Sequence, residues 1–355
     1  MTLVLASQAE LSLASIDKIK ANGTSRSCEE NLKSNSYQRF LTLLGKVKKD
    51  GEGAKNLEQL IEAYRKNDTR GNIFRLEGLL RMFAQHADFS ADFEKGYRKI
   101  RNFEDSLGHY IDSLKFQQRA IQLNLPELAG VISKRVHTDH EVLTNFLESE
   151  WPTGQEIKWK EKYEDRFNQI TGDAERKFLV SELTRFINEV QKKKYDLNKL
   201  QEGVHEYRRK LRWILLMAQA SGGFFKLAES PALDKQYAKY LDGSGIREAS
   251  FSKIPELASE KNPCLISRAL FEMVTLAVFR IGEAKDSGEL VENIAMAYEA
   301  FGDTKVEAHR KALKIGQAQK EYVDPSPMAI KWKGILDSEK ILEKLSEEIS
   351  SCLPK

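Results

Sequence analysis

The stretch Gly203-Val204-His205-Glu206-Tyr207-Arg208-Arg209-Lys210-Leu211-Arg212-Trp213-Ile214-Leu215 separates into two faces when wound as a helix. Val204, Tyr207, Leu211, Ile214, Leu215 and Ala218 recur at the i, i+3, i+7 spacing of a buried stripe. His205, Arg208, Arg209 and Arg212 fall on the opposite side, placing three guanidinium groups and an imidazole within two turns. Past Trp213 that side turns to Leu216 and Ala220 around Gln219, as expected of a face that meets other protein at the wall of a cleft. From Lys192 to Arg212, eight Lys/Arg stand against three acids, a local excess of +5 in a chain whose total is +3. An excess so local calls for an anionic partner.

Working outward, the helical period persists almost everywhere. Segments 37–49, 56–66, 72–85, 93–101, 103–122 and 126–149 read as helices, Pro126 sitting in a first turn. After the Trp151-Pro152-Thr153-Gly154 break come helices over 155–170 and 174–193, then the opening stretch. An irregular insertion with one or two short helices is expected over 230–262. Helices resume over 264–284, 289–301 and 304–318, and Asp324-Pro325-Ser326-Pro327 reads as a linker into a last helix over 336–351. Strand-like alternation is nearly absent, so the expected fold is all-α. Its parts would be a peripheral extension (1–36), a first helical half (37–150), a second (155–320) and a linker with a C-terminal helix (325–355).

Composition narrows the function. With 41% apolar and 31% charged residues the chain suits long solvated helices, and no run of about 18 apolar residues marks a membrane span. The first residues lack the positive n-region of a secretory signal. A near-neutral total excludes a general DNA-coating protein, so neither a membrane nor sequence-specific DNA is an expected partner. Cys28, Cys264 and Cys352, odd in number and far apart, match neither a disulfide framework nor a zinc pattern and suit a reducing cytoplasm. His137 and His140 at i, i+3 lack a third ligand and read as an exposed polar face, as does the basic group Lys305, His309, Arg310, Lys311 and Lys314. No glycine-rich phosphate loop, nucleophile set or paired-cysteine site occurs, so neither a cofactor nor a catalytic residue is assigned.

Two short elements echo one another. Leu107-Gly108-His109-Tyr110-Ile111-Asp112 and Ile281-Gly282-Glu283-Ala284-Lys285-Asp286 share the form aliphatic-Gly-x-x-x-Asp, each downstream of an Arg, Arg101 and Arg280. A glycine inside a helix costs about 1 kcal/mol relative to alanine, so two in matched contexts suggest close helix–helix approach, with the Asp free to pair with an Arg across it.

Together with Val204–Arg212, these elements resemble the signature of CHAD domains, histidine-containing α-helical domains that bind inorganic polyphosphate. The resemblance spans roughly residues 37–318. It implies two antiparallel helical bundles related by a pseudo-two-fold internal repeat around a central basic cavity, and a non-catalytic grip on polyphosphate or a similar polyanion. His205, Arg208, Arg209 and Arg212 would be the second-half ligands, with Lys199 alongside them and Arg98 and Arg101 as a second basic cluster. The first half departs from the pattern. Setting Arg75 against Arg208 leaves Arg75 and the off-register Arg81 as its cations, with Asn72 in the place of the His, Glu77 intruding and Leu79 opposite Arg212. The second half also spans 73 residues from signature to glycine element against 32 in the first. The alternative is therefore a degenerate scaffold or adaptor that keeps the fold and binds a protein partner instead.

Overall fold

Helical periodicity sets nearly all of the described chain. The computed structural model describes residues 35–355 except 87, 89, 152–154, 257–259, 261, 319–323 and 354–355; most of the expected N-terminal extension lies outside the described residues. The helices run α1 (Asn35–Asp50), α2 (Leu57–Lys66), α3 (Thr69–Phe83), α4 (Ser90–Gln122), α5 (Ala129–Ser149), α6 (Gln155–Asn168), α7 (Gly172–Lys192) and α8 (Glu206–Ala220). They continue as α9 (Pro231–Leu241), α10 (Arg268–Phe301), α11 (Lys305–Ala318), α12 (Pro325–Ser338) and α13 (Ile341–Ser350). The fold is all-α.

Four expectations need correction. The helices expected over 93–101 and 103–122 are one element, α4, and those expected over 264–284 and 289–301 merge into α10. Asn102 and the Lys285–Gly288 stretch are polar or small, but neither carries a proline, so nothing stops the ladder. Residues 264–267 form β2, which pairs in parallel with β1 (Phe225–Ala228), Phe225 opposite Cys264 and Ala228 opposite Ser267. The Asp-Pro-Ser-Pro stretch begins α12 instead of linking to it. Pro325 occupies the first turn, where its missing N–H costs nothing, and the Asp324 carboxylate caps the Ser326 N–H at 2.9 Å.

The fourth correction concerns the cysteines. Cys264 and Cys352 form a disulfide with Cα atoms 5.5 Å apart, tying β2 to the end of α13. An odd total did not preclude one pair, and the ground for expecting a reducing compartment falls with it. Among the described residues no helix is long and apolar enough to cross a membrane.

Packing places α3 at the centre. It lies against α1, α4 and α8, and α8 in turn lies against α7 and α10. Around α3 the core is aromatic: Phe83 of α3, Phe93 of α4 and Phe167 of α6 meet with ring centroids 4.8 to 5.2 Å apart. A second, smaller core gathers Phe116 of α4, Leu128, Ile132 of α5, Ile294 of α10 and Ala312 of α11. The two long helices thus run from one core to the other.

Candidate functional site

The apolar stripe of the opening stretch is buried as its spacing requires: Val204, Tyr207, Leu211, Ile214, Leu215 and Ala218 are each at most 2% exposed. Helix α8 proper begins at Glu206, after a single π turn over Leu200–His205. Its opposite side passes, as expected, from cations into packed protein. Leu216 and Ala220 are buried, and the Gln219 amide donates to the carbonyls of Ser250, Phe251 and Lys253 at 2.9 to 3.2 Å.

The cationic part of that side forms one wall of a cleft of about 880 Å³. From α3 it is lined by Arg70, Phe74, Glu77 and Arg81, and from α10 by Lys285, Asp286 and Glu289. Helix α4 contributes Tyr97, Arg101, Glu104, Asp105, Asp112, Lys115 and Arg119, an i, i+3/i+4 stripe covering about 33 Å of helix axis. Ten Lys/Arg and seven Asp/Glu line the cleft, so it is basic but far from uniformly so.

Most of the lining cations already hold a carboxylate. Arg70 Nε donates to Glu104 at 2.6 Å, Lys285 Nζ to Glu289 at 2.7 Å and Lys210 Nζ to Glu189 at 2.8 Å; Arg209 is paired with Glu206. Three are different. Among the described residues no carboxylate lies within 4.0 Å of Arg81, Arg208 or Arg212. Arg208 donates from Nε to the Val278 carbonyl at 3.1 Å. Arg81 lies over the Trp213 and Phe186 rings, at 4.8 and 5.4 Å from their centroids. Arg212 lies 4.3 Å from the centroid of Phe74, and its buried Nε–H has no acceptor.

Local electrostatics reflect this confinement. Burial, with Arg208 and Arg70 as like-charged neighbours, pulls the Arg212 guanidinium down to about 10 despite Glu104 and Glu77. Arg208 is lowered by burial, which Asp286 and Glu289 only partly offset. Burial raises the Glu77 carboxyl to about 8, helped by Glu104 and Asp105 and opposed by Arg81 and Arg101. Glu289 goes the other way: burial pushes it up, but His205 and Lys285 outweigh that and hold it near 2.

Of the residues expected to bind anions, His205, Arg208, Arg209, Arg212, Arg101 and Arg81 line the cleft, whereas Lys199, Arg98 and Arg75 do not. Lys199 and Arg98 pair on the surface with Glu202 at 3.1 Å and Glu94 at 2.8 Å. Arg75 turns towards Gln219 and Asn72, with Nε 3.4 Å from the Gln219 oxygen. Asn72, which stands in the place of the signature histidine in the first half, donates from Nδ2 to Asp50 at 2.9 Å.

The first-half cation that the sequence reading missed is Arg70. A Cβ added at Gly108 would lie 2.5 Å from an Arg70 Nη atom, and one at Gly282 would lie 2.7 Å from Arg208 Nε. Each glycine therefore clears a berth for a guanidinium from a neighbouring helix, so the close approach is by a side chain. Arg70 also reaches Asp112, four residues past Gly108, at 3.4 Å. The glycine elements held the signal: each Arg Nε is bonded four residues before its glycine, at Glu104 and at Val278.

Gly282→Ala is accordingly expected to displace the Arg208 guanidinium from its berth, while the melting temperature holds or rises because alanine favours the helix by about 1 kcal/mol. Gly334→Ala on α12, where nothing lies within 4 Å of the added methyl, is the control that gains helix propensity and leaves Arg208 in place. Melting curves and a crystal structure of each variant check this.

No family model matches the chain, and neither a curated protein nor a solved structure does.

Proposed function

We propose that the cleft binds a phosphate-rich anion, inorganic polyphosphate or a similar polyanion, and holds it without chemistry. The observation that carries this reading is the convergence of Arg81, Arg208 and Arg212 on one cleft with no carboxylate of the described residues in ion-pair reach. Guanidinium groups kept away from internal counterions in a confined space retain their full demand for an external anion, and their planar forks match phosphate oxygens. Arg208 and Arg212, one turn apart on α8, are set to meet successive charges of a linear ligand.

The CHAD resemblance, and with it a duplicated architecture of two bundles about a basic cavity, draws support from one correspondence. Arg70, Gly108 and Asp112 repeat the arrangement of Arg208, Gly282 and Asp286, including the Nε bond four residues before each glycine. Asp286 acts on Arg208 through its field and not through a direct bond, so the match is closer for the glycines than for the acids.

Labelled polyphosphate titrated at two salt concentrations against wild type and Arg81→Gln/Arg208→Gln tests the reading. Two lost charge-assisted contacts, each contributing about 1.5–3 kcal/mol, predict an affinity loss of about a hundredfold or more. The salt dependence should also become shallower, because fewer counterions are released. Equal affinities, or binding indifferent to salt, would sink it. A second reading, a scaffold for a protein partner, is favoured by the cations already neutralised within the cleft, such as Arg70 by Glu104 and Lys285 by Glu289. It predicts no binding of phosphate polymers at any salt concentration.

A further inference from the structure

Glu77 is out of place in a site for anions. It sits on the cleft-facing side of α3 between Phe74 and Arg81, is 2% exposed, and its Oε2 is buried without a hydrogen-bond partner. Every other carboxylate lining the cleft has a cation within ion-pair distance: Glu104 and Asp112 have Arg70, Asp105 has Arg101, Glu206 has Arg209, and Asp286 and Glu289 have Lys285. Among the described residues Glu77 has none, although arginines without a carboxylate in reach stand nearby. A charge so placed would repel the ligand that those arginines attract, and a buried polar oxygen without a partner carries a cost unless something fills the gap.

Both difficulties vanish if the group is neutral and a rotation of the carboxyl turns its unpartnered oxygen to the ligand. We propose that Glu77 meets the bound anion as the uncharged carboxylic acid, donating a hydrogen bond to a ligand oxygen, so that the cleft takes up an anion and a proton together. The inference rests on the anion-binding reading of the cleft. It adds a recognition element that arginines cannot supply, a donor whose presence depends on pH.

The groups around Glu77 are consistent with this. On its own helix the neighbouring charge is Arg81; from α4 come Arg101, Glu104 and Asp105, and from α8 comes Arg212. The carboxylates and burial favour the neutral form, the guanidinium groups oppose it, and the balance puts the carboxyl at about 8, protonated at neutral pH. An anion entering among the three arginines neutralises the groups that favour ionisation, so binding strengthens the hold on the proton. The sign follows: affinity is full below about pH 8 and falls as Glu77 ionises above it.

The test measures labelled inorganic polyphosphate binding from pH 6 to 9.5 in wild type and Glu77→Gln, whose amide is the same size, donates hydrogen bonds and does not titrate. Wild-type affinity is expected to fall about tenfold more than that of Glu77→Gln between pH 7 and pH 9, the shared titration of ligand and lysines cancelling in the comparison. Calorimetry of the wild type in two buffers of different ionisation enthalpy should show net proton uptake on binding at pH 9, approaching one. Infrared difference spectra between the ligand-free proteins at neutral pH should show a protonated carboxyl that Glu77→Gln lacks. Parallel pH profiles, absent proton uptake in a wild type that binds, or an ionised Glu77 at neutral pH would overturn the inference and leave the anion site standing. A wild type that binds at no pH would remove both.

Discussion

Replacing Arg212 by methionine is expected to make the protein more stable while destroying most of the proposed affinity for polyphosphate. Arg212 is charged at every pH below about 10, and among the described residues its Nε–H has no acceptor and no carboxylate lies within 4.0 Å. What it gains from the fold is the more distant field of Glu104 and Glu77, which does not offset its burial, and the Phe74 ring at 4.3 Å; a cation–π contact contributes at most about 2 kcal/mol even when desolvated. The penalty for enclosing a charge without its partner is several kcal/mol. Methionine keeps the length, removes the charge and makes favourable sulfur contacts with an aromatic ring. The difference favours the variant by roughly 1–3 kcal/mol.

The sign with respect to pH is fixed by the direction of the shift. A base whose folded pKa lies below its unfolded value destabilises the fold wherever it is charged, so the cost is undiminished across the neutral range and is relieved only above about pH 10. Binding moves the opposite way. One unit charge about 4 Å from a phosphate oxygen is worth about 4 kcal/mol at an effective dielectric constant near 20, so losing it should weaken binding by two to three orders of magnitude. Denaturant unfolding and ligand titration of the same preparations decide the matter. A variant that loses stability and keeps its affinity would make Arg212 a structural residue.

That opposition also explains what the sequence could and could not disclose. The buried stripe of α8 was legible because hydrophobic periodicity is a local property, and so was the cationic face behind it. Which cations remain free is not local. Arg209 and Arg212 look alike in the sequence, yet Arg209 folds back on Glu206 and Arg212 faces a ring from α3. Arg75 is the residue that aligns with Arg208 in the first-half signature, but Gln219, 144 residues away, takes its Nε. Arg70 was overlooked because its role depends on Gly108, and spacing within a helix says nothing about which neighbour's side chain will lie across it. The glycine elements were noticed for closeness, and their use as berths for guanidinium groups required the packing of α3 on α4 and α8 on α10.

Cysteine usage misled for a related reason, and it leads to a second large effect. Cys264 and Cys352 are separated by 88 residues, and their meeting depends on α13 packing against α7, α10 and β2. Closing a loop of that length removes unfolded-chain entropy worth about 4–5 kcal/mol in the chain-entropy treatment. Cys264→Ser/Cys352→Ser should therefore melt on the order of 5–8 °C lower than the oxidised wild type. Reductant should lower the wild type to the same value and leave the variant unmoved.

The cleft is lined by neither β2 nor α13, so the proposed affinity for polyphosphate should be the same in the folded variant and the wild type. The end of α13 is held by other bonds as well. Arg176 donates from Nε to the Cys352 carbonyl at 3.0 Å, and the Ser267 N–H donates to Glu348 at 2.7 Å. These bonds survive the substitution, so the loss should appear as a uniform drop in global stability with the C-terminus still docked. If amide exchange in α13 instead rises to the solvent rate while the rest of the chain is unchanged, the disulfide anchors one helix and does not restrain the whole unfolded chain, and the entropic account fails.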